Sequence, residues 1–78
     1  MSTKFLEMFK AHGGETCIVT VDSGLMFTRT HQEMLVYYTE ISYPYTNPFR
    51  SRRWTHESFA EALKQAKDYV YAYKDREP

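Results

Sequence analysis

Residues 49–54, Phe-Arg-Ser-Arg-Arg-Trp, carry the side chains best suited to recognition chemistry. Arg50, Arg52 and Arg53 stand within four positions of one another, and no acidic residue occurs between Glu40 and Glu57. A guanidinium is a planar fork that meets carboxylate or phosphate through parallel charge-assisted hydrogen bonds. Phe49 and Trp54 add rings on which a base can stack or a partner's apolar side chain can rest. The segment therefore predicts contact with an acidic protein surface. The alternative is an RNA or single-stranded nucleic acid held by the same residues. Arg29, on the second predicted strand, would extend the cluster if the two strands are neighbours. Tyr38 and Tyr71 are further candidates for partner contact, because tyrosine combines a rigid ring with a polar tip.

Other chemistries find little support. The single cysteine, Cys17, excludes an intramolecular disulfide and a Cys-based zinc site. It sits in an apolar alternating segment, where a thiol behaves as a small buried hydrophobe. His12, His31 and His56 are scattered without metal-ligand spacing. No glycine-rich phosphate loop, Gly-x-Ser-x-Gly or paired-carboxylate motif occurs. The expectation is a non-enzymatic protein with no cofactor and no metal.

Composition narrows the partner. Ten basic and ten acidic residues give zero formal net charge. A protein that coats nucleic acid needs a basic excess, and a nucleic-acid mimic an acidic one. Seven Tyr, five Phe and one Trp serve either a small core built from large rings or a recognition surface. The lone cysteine and the absence of a leader-like segment suggest a cytoplasmic protein. No unbroken apolar run is longer than that of Met34–Tyr38, which is far too short to span a bilayer, so no membrane partner is expected.

Seventy-eight residues predict one α+β domain, 1–78. Phe5, Leu6, Met8 and Phe9 recur at helical spacing, so Lys4–Ala11 reads as a short helix ended by Gly13-Gly14. Glu15–Asp22 alternates and is β-branched, hence a strand. Asp22-Ser23-Gly24 reads as a hairpin connection, with Leu25–His31 returning as the second strand. Glu33–Tyr43 is the third, with Leu35, Tyr37, Thr39, Ile41 and Tyr43 on one face. Residues 49–54 form a short fourth strand or an irregular crossing, between Pro44 and Pro48 on one side and the helix on the other. Ser58-Phe59-Ala60-Glu61 is a capping box, with Thr55 as a rival cap. Phe59, Leu63, Ala66, Val70 and Tyr73 then make a helical stripe to about Tyr73, and Tyr71 faces away from it.

The fold expected is a short N-terminal helix, a three- to four-stranded antiparallel meander, and a long C-terminal helix packed on one sheet face. The other face, with Ile18, Met26, Met34, Val36 and Tyr38, is covered by the N-terminal helix or is an interface, for a homodimer or a foreign partner. This helix–strands–helix order resembles the double-stranded-RNA-binding domain in layout. That family begins its second helix with a Lys-Lys-x-Ala-Lys-type basic sequence, whereas Ser58-Phe59-Ala60-Glu61-Ala62 stands here, so no phosphate-binding residue carries over. In size, neutrality and layout the chain is similar to small accessory proteins of phages and mobile elements, including anti-CRISPR inhibitors. That resemblance implies steric occupation of a larger host protein complex.

Overall fold

The computed structural model describes residues 3–46 and 48–74. Among them, β1 (Thr3–Lys10), β2 (Thr16–Phe27), β3 (Glu33–Tyr43) and β4 (Arg50–His56) form one antiparallel sheet in sequence order, followed by α1 (Phe59–Tyr73). The meander and the C-terminal helix match the expected α+β class.

The N-terminal segment is a strand, not a helix. Eight residues are too few to hold a helix without tertiary support. In the sheet, the same residues gain a full ladder to β2, with Phe5 opposite Val21 and Phe9 opposite Cys17. Gly13 and Gly14, with φ of 97° and 85°, turn this hairpin rather than cap a helix. The helix–strands–helix layout is therefore replaced by four strands and a helix, and the likeness to the double-stranded-RNA-binding layout does not survive.

Asp22-Ser23-Gly24 is not a turn either. β2 runs through it, pairing Asp22 with Tyr38 and Gly24 with Val36. Gly24 serves a close approach: a Cβ there would stand 2.9 Å from Tyr38 Cε2. The reversal occurs at 28–32. There Thr28 N–H donates to the Gln32 carbonyl at 2.9 Å, and the Thr28 hydroxyl accepts from Gln32 N–H at 3.2 Å. His31 takes the left-handed conformation at φ 65°, a place a polar side chain tolerates better than a branched one.

The helix start follows the capping box. Ser58 Oγ accepts from Glu61 N–H at 3.2 Å, while Thr55 lies within β4. The buried helical residues are Ala62, Ala66 and Val70. They share one core with Phe9, Ala11, Cys17, Val19, Val21 and Ile41. Alanine lets the helix backbone approach the sheet closely, and the buried Thr39 hydroxyl donates to the Ala62 carbonyl at 2.8 Å. Phe59 meets Tyr37 edge-on, with ring centroids 5.8 Å apart.

The opposite sheet face has no helix on it among the described residues. Leu6 and Met8 are exposed there, at 64% and 62%. The covering role expected of the N-terminal segment is absent because that segment is itself a sheet strand. Beyond Asp22 and Tyr37, β2 and β3 lose their outer partners and continue as a two-stranded arm.

Candidate recognition groove

Alternation along β4 divides the arginine cluster. Arg50, Arg52 and Trp54 stand opposite Tyr43, Ile41 and Thr39, on the side that faces α1. Ser51, Arg53 and Thr55 stand opposite Ser42, Glu40 and Tyr38, on the open side. A strand sends successive side chains to opposite faces, so three arginines this close cannot form one patch.

Each guanidinium lies over a ring. Arg50 Cζ is 4.6 Å from the Tyr43 ring centroid, Arg52 Cζ 4.9 Å from that of Trp54, and Arg53 Cζ 5.1 Å from that of Tyr38. Two also have carboxylate partners brought in from elsewhere. Arg50 pairs with Glu15 at 2.5 Å and Arg53 with Glu40 at 3.5 Å. The acid-free run in sequence is thus neutralised through space at two of its three arginines. Among the described residues, Arg52 has no carboxylate within 4.0 Å.

Arg52 borders an open groove of about 600 Å³ between β4 and α1. Its floor carries Ile41 and Tyr43, and its helix wall Gln65, Tyr69 and Tyr73. Trp54 is half-buried and packs against the core while lending its ring to Arg52. Asp68, the one carboxylate of the lining among the described residues, is held by Lys64 at 3.0 Å. Tyr43 and Tyr69 share a hydroxyl–hydroxyl hydrogen bond across the groove floor, and Tyr69 lies against Tyr73 at 4.4 Å between centroids. Burial, helped by the Tyr69 hydroxyl, pushes the Tyr43 phenol well above its ordinary range. Burial also raises the Cys17 thiol, which the neighbouring Tyr43 hydroxyl partly offsets. Cys17 is fully buried and held neutral, the opposite of what a nucleophile requires.

The remaining expected contact residues are dispersed. Tyr38 lies on the open face with Arg53. Phe49 is 62% exposed just ahead of β4, outside the groove lining. Tyr71 faces away from the core as expected, and borders a smaller hollow with Phe5, Glu7 and Lys67. Arg29 sits in the turn of the arm. The strand between Glu33 and Glu40, which stands opposite Arg53, spans about 23 Å at a rise of 3.3 Å per residue, so Arg29 is not part of the cluster. Tyr43 and Tyr69 were not among the residues expected at the site. Their signals were present: Tyr43 extends the inward face of β3, and Tyr69 adjoins the helical stripe. Among the described residues, no three His, Cys, Asp or Glu side chains come together as a metal site. No helix among them is long and apolar enough to cross a membrane.

Comparison with known proteins finds no family model, no curated protein and no solved structure that matches this chain.

Proposed function

We propose that the chain is a non-enzymatic binding module that docks on a larger protein through the groove between β4 and α1. The observation that carries this reading is Arg52. Its guanidinium is stacked on Trp54, unpaired by any described carboxylate, and set beside a wall of tyrosines. Arginine, tyrosine and tryptophan are the residues that dominate binding energy at protein interfaces. The rings hold the guanidinium in place before binding, which lowers the ordering cost of association. The occupied partner would be blocked sterically. A phage-borne inhibitor of a host defence complex is the most concrete form of this proposal. It draws on the chain's size and neutrality, and the neighbouring genes would test it.

Capture of proteins from a host lysate by the wild-type chain and by Arg52→Glu tests the groove. Loss of a captured protein in the variant is expected. An unchanged set would remove the groove from the contact.

The nucleic-acid alternative keeps one supporting observation, the Arg52–Trp54 stack. The zero net charge weighs against it, since nucleic-acid binding draws on a basic excess. A labelled oligonucleotide bound at 50 mM salt and released at 200 mM would favour it.

A further inference from the structure

The groove has a second property that side chains alone do not reveal. Its outer wall, β4, is the last strand of the sheet, and no described strand pairs with its far side. An edge strand presents backbone N–H and C=O groups that accept another strand. β1, the other edge, is less available. Its start carries a register shift, and its exit is tied to the helix end through the Ala11–Lys74 bridge and a 3.0 Å bond from His12 N–H to the Tyr73 carbonyl.

We propose that an extended acidic segment of a partner protein adds to the outer edge of β4 as a fifth strand. This rests on the groove reading above and specifies its occupant. Main-chain hydrogen bonds to β4 supply sequence-independent affinity. Side chains of the added strand alternate, so every second one points to the helix side. There a carboxylate opposite or diagonal to Arg52 lies within cross-strand reach, roughly 5–8 Å between backbone positions. The residue two places along rests an apolar or aromatic side chain in the groove against Tyr69. Asp or Glu two residues from a second acid or from a ring is the expected pattern.

Charge selects this occupant over a second copy of the chain. β4 contains Arg50, Arg52 and Arg53 and no acid. Antiparallel self-pairing centred on Arg52 or Arg53 sets that arginine against its own copy, and centring on Ser51 sets Arg50 against Arg52; centring on Trp54 avoids these clashes but pairs only residues 52–56 of the strand. Like charges directly opposite destabilise a ladder. Arg52, without a described carboxylate partner, is the arginine that opposes self-pairing in these registers and attracts an acidic strand. A nucleic acid cannot complete the ladder, because it lacks the alternating N–H and C=O groups.

The test is selection of a displayed library of random eight-residue peptides against the full chain. Peptides with acids at two-residue spacing, or an acid two places from a ring, should be enriched. Their affinity should fall at least tenfold for Arg52→Glu and stay within twofold for Arg29→Glu in the arm. N-methylation of alternate peptide amides on one edge should abolish binding, while methylation of the intervening amides leaves it intact. Amides of β4 should gain hydrogen-exchange protection. Strand addition is overturned by a selection with no enrichment, by peptides of helical apolar spacing, or by indifference to every N-methyl group. It is equally overturned if β4 becomes protected in the chain alone as it dimerises, or on adding an oligonucleotide. Lysate capture that depends on Arg52 without any β4 protection would sink strand addition and leave the groove reading standing. Capture and peptide binding both indifferent to Arg52 would sink both.

Discussion

β2 has two halves with one sequence character and opposite fates. Cys17, Val19 and Val21 on its first half are fully buried, whereas Leu25 and Phe27 on the same face are exposed at 62% and 64%. The alternation and residue class are alike. What changes is the company. The first half has β1, β3 and α1 around it; the second has only β3. A strand's periodicity therefore says which residues share a face, and only the neighbouring elements say whether that face is a core. The contrast extends to function. The body positions the groove, while the arm carries Arg29 and exposed Leu25, Phe27 and Leu35 well away from it. A two-stranded ribbon is marginal in water by itself, so the arm draws its order from the body.

Substitutions can break or sharpen this contrast. Val19→Ala should show the largest effect, a loss of about 2–4 kcal/mol for a cavity in a core with few members, read from the urea midpoint. That is a large share of the stability a chain of this size can hold. Gly24→Ala stands at the border of body and arm. Its added methyl meets the Tyr38 ring, which also carries Arg53, and about 1–3 kcal/mol should be lost. Full stability in this variant would mean that the ring is free to move away.

Thr39→Val removes the buried bond to the Ala62 carbonyl while keeping side-chain volume. It should cost about 1 kcal/mol, seen as a lowered thermal midpoint with unchanged circular dichroism. A pH titration separates the halves differently. Because the Tyr43, Tyr69 and Cys17 pKa values are raised in the folded state, their contribution is intact below the ordinary thiol and phenol values. As pH climbs past those values toward the folded ones, the unfolded chain releases protons that the folded chain retains, so stability declines. Tyr69→Phe should flatten that alkaline decline, and an arm substitution should leave it unchanged. The smallest effect belongs to the arm: Phe27→Ser and Leu35→Ser should each stay within about 0.5 kcal/mol. A loss comparable with Val19→Ala would show that the arm is covered in solution, and light scattering would then reveal whether a second copy covers it.

Much of this fold was legible in the chain. The capping box placed the helix start at Ser58, and β-branched alternation placed β2 and β3. Elsewhere the local signals are ambiguous. Residues 5–9 satisfy helical spacing and strand alternation alike, and Gly13-Gly14 suits a helix end as well as a hairpin. Gly24 looked like a turn because a glycine's reason for being small can lie across the sheet, in this case under the Tyr38 ring. The helical stripe keeps Phe59, Ala66 and Val70, but Ala62 rather than Leu63 is its fully buried member between them, because close approach of the backbone favours alanine over bulk. At the site, the arginines and Trp54 were visible in sequence, but their division between two faces, the pairing of Arg50 with Glu15 and the Tyr43–Tyr69 contact were not.

Along most of the chain the residues dictate the class of element, the neutral charge and the side chains available for recognition. These follow from local sterics, periodicity and composition. Only the folded arrangement decides that β1 is a strand, that Leu25, Phe27 and Leu35 of the arm stand exposed while Val36 is buried, and that Arg52 is the arginine of the cluster without a carboxylate partner among the described residues. Those outcomes depend on which residues distant in sequence become neighbours in the sheet, and no local pattern along the chain encodes the distance from Arg50 to Glu15.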